Sequence, residues 1–98
     1  MTFEELHTKI KDLAAKTGPL GNTLKIDLGD DKIYLDGTGA ENTVSAEDKA
    51  ADCVLITTSD NLSKLLQGDL NPMMAVMTGK LKIKGDMGVA MKVQSLFG

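Results

Sequence analysis

Cys53 and His7 are the two residues whose side chains could pair as a nucleophile and its base. Cys53 opens the apolar run Cys-Val-Leu-Ile at 53–56, and burial in such a strand raises the pKa of a thiol and makes it unreactive. His7 is the only histidine and falls on the polar side of a predicted helix, so we expect an ordinary surface residue. An acyltransferase or thioesterase that uses Cys53 is an alternative to a protein without catalytic activity, but no base accompanies the thiol.

Metal, cofactor and phosphate sites also lack their usual motifs. His, Cys and Asp do not occur at the spacing of a metal centre. The tripeptide Thr-Gly-Lys at 78–80 lacks the upstream glycine of a phosphate-binding loop, and the Gly-x-x-Gly at 85–88 follows a predicted strand and holds Asp-Met between its glycines. We therefore expect no enzyme, no metal and no cofactor.

The length of 98 residues predicts one domain, at 1–98, which buries about two-thirds of its unfolded surface. Hydrophobic residues make up 42% of the chain but aromatic residues only 3%, so aliphatic side chains must fill the core. No apolar run approaches the roughly 20 residues of a membrane span, and the N-terminus does not resemble a secretory signal. With a single cysteine, which suits a reducing compartment, we expect a cytoplasmic protein.

Charge is distributed unevenly along the chain. Residues 1–78 hold 7 Lys against 13 Asp or Glu, a net charge of −6, whereas residues 79–98 hold 4 Lys against one Asp, a net charge of +3. All basic residues are lysine, so the guanidinium groups that bind phosphate or guanine in a bidentate manner are missing and nucleic-acid binding is disfavoured. Lys80, Lys82 and Lys84 could contact an anionic headgroup, a CoA phosphate or a transient membrane surface, or could form a solvated strand face.

The first third of the chain predicts a helix followed by a hairpin. Thr2 and Glu5 fit a capping box, and apolar residues then recur at helical spacing up to Gly-Pro at 18–19. From Asn22 the period becomes two, and alternating runs on either side of Gly-Asp-Asp at 29–31 predict a hairpin with one buried and one solvated face. Ile33 and Leu35 lie on the buried face, and Tyr34 on the solvated face.

The middle of the chain predicts a loop, two strands and a short helix. Gly37 to Lys49 is typical of a loop that contains a short strand at Asn42 to Ser45. Ala51 to Thr58 is more uniformly apolar, which predicts a central strand. Thr58 or Ser59 then caps a short helix. That helix carries Leu62, Leu65 and Leu66.

The last third predicts a short helix, a strand and a closing helix. Asn71 can cap a helix that begins at Pro72. Charged and apolar residues alternate over Lys80–Lys84, which predicts a strand with Leu81 and Ile83 pointing inward. Asp86 can cap the final helix, at about 87–97, which is apolar on two sides and is either a core helix or one that also lines a ligand cavity. The two sides are Met87, Ala90 and Met91, and Val89, Val93, Leu96 and Phe97.

Together these elements predict an α+β fold, with one mainly antiparallel sheet covered on one face by helices. The last third also closely resembles the sterol carrier protein-2 (SCP2) family of lipid-binding domains. The matching residues are Asn-Pro at 71–72, Gly-Lys-Leu-Lys-Ile at 79–83, Gly-Asp-Met-Gly at 85–88 and Ala-Met-Lys at 90–92. The resemblance continues more loosely through 51–53 and 62–68. The chain ends in Ser-Leu-Phe-Gly, whereas eukaryotic members usually end in a peroxisomal tripeptide, which favours a cytoplasmic, bacterial member.

The resemblance implies a five-stranded sheet, a hydrophobic tunnel between the sheet and the helices, and a non-catalytic carrier of sterols, fatty acids, fatty acyl-CoA or phospholipids. An accessory or dimerisation module for a lipid-metabolising enzyme, with little ligand binding of its own, is the alternative. Lipid or fatty acyl ligands are the expected partners. The predicted lining of the tunnel is Ile33, Leu35, Leu62, Leu65, Leu66, Met74, Met77, Met91, Val93 and Phe97.

Overall fold

The fold is a five-stranded sheet with helices on one face, as predicted. The structure is a computed structural model that describes residues 1–97, with side chains through Val93. The elements in chain order are α1 (Phe3–Lys16), β1 (Thr23–Asp27), β2 (Lys32–Asp36), β3 (Thr43–Ser45), β4 (Cys53–Ile56), α2 (Ser59–Gln67), α3 (Pro72–Met77), β5 (Lys82–Gly85) and α4 (Met87–Phe97).

The strands are ordered β3-β2-β1-β4-β5, and the sheet is mixed. β1 pairs with β4 in parallel, whereas the other neighbouring strands are antiparallel. The parallel pair arises because the chain passes through β2 and β3 and then returns to the free side of β1. β4 is therefore an interior strand, as the apolar run at 51–58 predicted, and β1 lies in the middle of the five strands.

One face of the sheet forms the floor of the core. Residues that pair directly across strands share a face, and the pairs Leu24–Leu35, Ile26–Ile33 and Leu55–Ile83 all belong to the face under the helices. Apolar residues of all four helices cover this face, at positions three or four residues apart in the longer helices. The buried helical residues are Leu6, Ile10, Ala14, Leu62, Leu65, Ala75, Val89, Ala90 and Val93.

The opposite face of the sheet is less exposed than the alternating pattern predicted. Tyr34, expected on a solvated face, is 8% exposed. Its hydroxyl donates a hydrogen bond to the Ala50 carbonyl (3.3 Å), the Lys49 ammonium lies 5.6 Å from its ring centroid, and Lys25 forms an ion pair with Asp48 at 2.8 Å. The loop between β3 and β4 thus covers part of this face. The alternation of apolar and polar residues within one strand does not indicate such a cover.

Helix caps follow the predicted residues. Thr2 and Glu5 form the capping box of α1, and Thr58, rather than Ser59, caps α2. The Asn71 side chain accepts hydrogen bonds from the amides of residues 73 and 74, and Asp86 Oδ1 accepts one from the Gly88 amide at 2.8 Å. Since these side chains satisfy amides that have no partner within the helix, they fix where each helix begins.

Asp52 joins the starts of two strands to the end of a third. Its amide donates to the Thr23 hydroxyl (2.9 Å), its carboxylate accepts from the Thr23 amide (3.1 Å), and its carbonyl accepts from the Asp86 amide (2.9 Å). Gly85 passes close to the same carbonyl with a φ of +94°, and a Cβ atom at Gly85 would lie 2.4 Å from that oxygen. Glycine is therefore required at this position by both backbone conformation and space.

Replacing Gly85 by alanine should strongly destabilise the fold, and Gly29→Ala is the matched control. Gly29 has a similar φ of +93°, but nothing lies within 4 Å of the point that a Cβ atom there would occupy. We expect Gly29→Ala to lower the free energy of unfolding by about 1–2 kcal/mol, the cost of a left-handed conformation, and Gly85→Ala by roughly 1–3 kcal/mol more, because the backbone must also move. Urea denaturation of both variants measures the difference, and equal losses would contradict the close approach at Asp52.

Candidate functional site

A narrow apolar crevice lies between α3, α4 and the β4–β5 end of the sheet. Its volume is about 10 Å³, roughly the space that a single water molecule needs. A larger groove of about 430 Å³ runs along α1, but charged and polar side chains such as Glu4, Glu5 and Asp12 line it. Since the crevice is walled by aliphatic side chains, it is the better candidate for an apolar ligand. Its lining residues are Leu55, Pro72, Val76, Leu81, Ile83, Ala90 and Val93.

Sheet and helix periodicity bring the lining residues together. Leu55 of β4 lies opposite Ile83 of β5, so both side chains rise from the same face of the sheet. Pro72 and Val76 are four residues apart on α3, whereas Ala90 and Val93 are three residues apart on α4, so each pair lies on one side of its helix. The crevice is therefore built from four separate elements, two strands and two helices, that meet above the edge of the sheet.

α3 is held at its ends and is only thinly attached to the core. Ala75 is its fully buried residue, and the Ala75 carbonyl accepts hydrogen bonds from the amides of Lys80 (2.8 Å) and Leu81 (3.1 Å). The buried Thr57 hydroxyl donates to the Lys80 carbonyl at 2.8 Å and fixes the segment that follows the helix. Because the outer side of α3 is exposed, the wall of the crevice that it forms has little packing behind it.

Over residues 87–93, α4 presents one buried stripe. The side chains of Leu96 and Phe97, predicted on the second apolar side, lie outside the described residues. Val89, Ala90 and Val93 are buried, whereas Met87 and Met91 are 58% and 71% exposed. The predicted grouping of Ala90 with these two methionines is therefore wrong, because the helix rotates Ala90 towards the sheet and the methionines towards the surface. At the other side of the helix, the Lys92 ammonium donates to the Leu20 carbonyl (3.0 Å) and to Asn22 Oδ1 (2.9 Å), which ties α4 to the turn before β1.

The predicted lining residues fall into four groups. Val93 lines the crevice, and Leu66 is half-buried against the core. Met74, Met77 and Met91, expected inside a tunnel, lie on the surface with more than half of each side chain exposed. The side chain of Phe97 is outside the described residues. The remaining predicted residues are fully buried in the core beneath the helices, namely Ile33, Leu35, Leu62 and Leu65.

Six lining residues were not among those predicted to bind the ligand. Leu81 and Ile83 were expected to point inward from the last strand, and that inward direction is the signal that could have placed them in the site. The same alternation in β4 could have placed Leu55 in the site. Pro72 and Val76 had no such signal, because the three methionines of α3 made the opposite side of the helix look equally apolar. Ala90 was grouped with the wrong side of α4.

Neither side chain that could supply covalent chemistry has a partner for it in the described structure. Cys53 is fully buried, and burial, with a smaller contribution from the charge of Asp86, raises the pKa of its thiol. His7 is half-buried rather than on an open surface: its ring packs against Phe3 at 5.9 Å, and its Nε2 atom is buried without a hydrogen-bond partner. Among residues 1–93, no group of three or more His, Cys, Asp or Glu side chains could hold a metal ion.

Lysine side chains lie beside the crevice on the last strand. Lys80, Lys82 and Lys84 are all exposed. Lys82 and Lys84 alternate with Ile83, so their side chains leave the opposite face of β5, at the outer edge of the sheet. In the part of the chain that the structure describes, no helix has the length and apolar character needed to cross a bilayer.

Comparison with known proteins defines the class to which this fold and crevice belong. Residues 3–98 match the family model described as the SCP-2 sterol transfer family. The fold is also that of palmitated SCP2L2 from Aedes aegypti, with a TM-score of 0.74 and 17% identity over 99% of this chain and 95% of that one. The chain therefore belongs to the SCP-2 sterol transfer family.

Two curated relatives show how this domain occurs in longer proteins. Sterol carrier protein 2 of Rattus norvegicus is 45% identical over 58 residues, which are 59% of this chain and 11% of the rat protein. Hydroxysteroid dehydrogenase-like protein 2 of Xenopus laevis is 41% identical over 107 aligned positions, which cover 99% of this chain and 24% of that protein. The chain thus spans about a tenth of the rat protein and about a quarter of the frog protein.

Cys53 should react slowly with a thiol reagent as long as the protein is folded. At pH 8 its raised pKa keeps the thiol protonated, and the side chain is closed off from the reagent. We expect modification by Ellman's reagent to be at least roughly a hundredfold slower than in denaturant, as for a local opening free energy of about 3 kcal/mol. Rapid modification of the folded protein would instead revive Cys53 as a candidate nucleophile.

Proposed function

We propose that this chain is a non-catalytic lipid carrier domain that holds the apolar part of its ligand between α3, α4 and the sheet. The observation that carries the proposal is the aliphatic crevice walled by Val76, Ala90 and Leu55, three residues from separate elements, in a member of the SCP-2 sterol transfer family. Sterols, fatty acids, fatty acyl-CoA and phospholipids are the proposed ligand classes, and the cytoplasm is the proposed compartment.

Ligand entry requires the crevice to widen, because ligand sites usually enclose about 300–1,000 Å³ and this crevice encloses about 10 Å³. Moving α3 outward is the least costly way to provide that space, since Ala75 is the fully buried residue of that helix. Each methylene that leaves water for an apolar site contributes about 0.8 kcal/mol, so a 16-carbon chain offers roughly 13 kcal/mol before ordering costs. This gain is large enough to offset the displacement of one short helix.

Four of the residues predicted to line a tunnel then form a second layer, in the core behind the residues that line the crevice. Leu62, Leu65, Ile33 and Leu35 lie in the same core cluster as Val93, with Ile33 and Leu35 on β2, two strands from β4. If α3 and α4 move apart, these side chains become the floor that an acyl chain contacts. Flexible methionine side chains suit a wall that changes shape, so Met74 and Met91 can fold over a bound chain, whereas Met77, the most exposed of the three, is expected to stay in solvent. Lys80, Lys82 and Lys84 are proposed to contact an anionic headgroup or a CoA phosphate at the mouth.

An accessory or dimerisation module for a lipid-metabolising enzyme is the second candidate function. The narrowness of the crevice favours it, as does the relative named hydroxysteroid dehydrogenase-like protein 2, in which the matching region is 24% of the chain. Such a module would act through a partner enzyme and would show no saturable lipid binding, which separates it from a carrier.

Substitution of Val76 by glutamine should weaken lipid binding, with Met77→Gln as the matched control. Val76 lines the crevice and is 40% exposed, so the polar group disturbs the site without entering the core, whereas Met77 is 77% exposed and lies outside the lining. We expect Val76→Gln to raise the Kd for a fluorescent fatty acid about tenfold, the effect of losing about two methylenes of apolar contact, and Met77→Gln to change it less than about twofold. Competition by palmitate and by palmitoyl-CoA then compares the ligand classes.

Three results would distinguish the proposals. Native mass spectrometry that detects one bound lipid per chain, with the larger effect at Val76, supports the carrier and the crevice. A larger effect at Met77 supports a carrier whose lining is the one predicted from the sequence. An apo mass with no saturable uptake overturns the carrier and supports the accessory module.

A further inference from the structure

The outer face of the sheet, opposite the helices, carries four strand lysines that differ in their pairing. On the interior strands, Lys25 forms an ion pair at 2.8 Å and Lys32 forms one at 3.2 Å. On the edge strand β5, Lys82 and Lys84 are exposed, and within residues 1–93 neither has an ion-pair partner. Two neighbouring positive charges on this edge are therefore available to acidic groups of another molecule.

The backbone of β5 presents hydrogen-bonding groups at the same edge. The Thr57 amide donates to the Asp27 carbonyl of β1 (3.1 Å). Because successive residues of a strand turn their N–H and C=O groups to opposite sides, residue 55 also faces β1, and residues 54 and 56 face β5. Leu55 and Ile83 therefore form a non-hydrogen-bonded pair, and the N–H and C=O of Ile83 point away from β4. No strand of residues 1–97 lies on that side.

An extended polypeptide is the group that matches this edge. A lipid surface does not supply a donor and an acceptor at strand spacing, whereas the backbone of one further strand does. In antiparallel register, one residue of that strand would form a hydrogen-bonded pair with Ile83, and its two neighbours would form non-hydrogen-bonded pairs with Lys82 and Lys84. Side chains approach most closely in non-hydrogen-bonded pairs, where the Cα atoms are about 4.5 Å apart. Carboxylates opposite the two lysines would therefore be attracted strongly.

The central residue of such a strand would lie on the other face of the sheet. Ile83 is half-buried there and shares the helix-covered face with Leu55. An apolar side chain opposite Ile83 would add to this contact, since aliphatic pairs across strands stabilise a sheet. The edge of β5 thus specifies three consecutive partner residues, which are acidic, apolar and acidic.

We propose that the free edge of β5 is a docking site for an extended acidic segment of a partner protein, which adds a sixth strand to the sheet. In binding of this kind, main-chain hydrogen bonds provide affinity and side chains at alternate positions provide specificity. The inference goes beyond the proposed function and holds whether or not the crevice takes up lipid.

The other edge of the sheet lacks the features that select an acidic strand. β3 has the sequence Thr-Val-Ser and carries no charge. It is also shorter than β5, and α1 packs beside it. A strand added at β3 would therefore gain nothing from acidic side chains, and recognition by charge is confined to the β5 edge of the sheet.

Peptide binding, measured by fluorescence anisotropy, tests the docking site. The probe is fluoresceinyl-Thr-Val-Glu-Val-Glu-Val-Thr-amide. One control peptide has lysine in place of both glutamates, and a second has an N-methyl group on the central valine, which removes the N–H that the Ile83 carbonyl would accept. We expect both control peptides to bind at least about tenfold more weakly than the probe, because one reverses two cross-strand charge pairs and the other removes a hydrogen bond.

Charge reversal in the domain gives the complementary test. We expect K82E/K84E to bind the glutamate probe at least about tenfold more weakly and to bind the lysine peptide more tightly than the unmodified domain does. The control K9E/K11E makes the same change of charge at exposed positions of α1 and should alter the Kd less than about twofold. Urea denaturation establishes that both variants are folded. Saturation with the probe should also slow hydrogen exchange of the Ile83 amide at least about tenfold.

Several results would overturn the docking site. Equal losses in K82E/K84E and K9E/K11E would indicate attraction by net charge alone, and full binding of the N-methylated peptide would indicate contact without strand addition. No binding of the probe, together with co-sedimentation on phosphatidylglycerol vesicles that K82E/K84E abolishes, would assign the lysines to lipid instead. Self-association in analytical ultracentrifugation that K82E/K84E abolishes would assign the edge to a second copy of the chain. Uptake of a fluorescent fatty acid without binding of the probe would refute the docking site and leave the carrier function standing.

Discussion

The junction at Asp52 is the constraint on which the arrangement of the C-terminal half depends. Its backbone and carboxylate bind the start of β1, while its carbonyl binds the Asp86 amide, where β5 ends and α4 begins. Asp86 in turn caps α4, and Lys92 of that helix donates a hydrogen bond to the turn before β1. The result is a closed circuit of polar contacts around one end of the sheet. Because this circuit fixes α4, the crevice has one rigid wall.

The second wall is different in kind. With aromatic residues at 3% of the chain, the core is filled by aliphatic side chains. Among the described residues, α1, α2 and α4 supply eight of the nine buried apolar residues that come from helices. α3 contributes the small side chain of Ala75 and is held mainly through backbone hydrogen bonds at its ends. A fixed helix opposite a thinly packed one is an arrangement in which a site can open on one side while the rest of the fold is unchanged. The carrier proposal depends on that asymmetry more than on the size of the crevice.

Patterns over a few consecutive residues predicted most of the helices and strands. Features that depend on contacts between distant parts of the chain were not predicted. The starts of three helices could be predicted from Thr2, Asn71 and Asp86, because a cap is a contact over two or three residues. The alternation at 24–35 predicts strands because it is a property of consecutive residues. The parallel pairing of β1 with β4 and the cover over Tyr34 depend on where distant segments return, so no short pattern contains them. The site shows the same limit at the level of single side chains. Ala90 and Met91 are adjacent and both apolar, yet one is 5% exposed and the other 71%. Methionine is common both in deformable binding walls and on exposed interaction surfaces, so only the rotation of α4 about its axis distinguishes a lining residue from an exposed one.

Within residues 1–97, β5 is the last strand of the sheet, so its outer backbone N–H and C=O groups face no neighbouring strand there. An edge of this kind is a template on which another chain can add a strand, and natural proteins often guard it with lysine. Lys82 and Lys84 occupy two of the four positions of this short strand. Beyond any part in recognition, they make edge-to-edge pairing of β5 with the same strand of a second copy electrostatically unfavourable. This protects a domain with exposed methionines from polymerising through its own backbone.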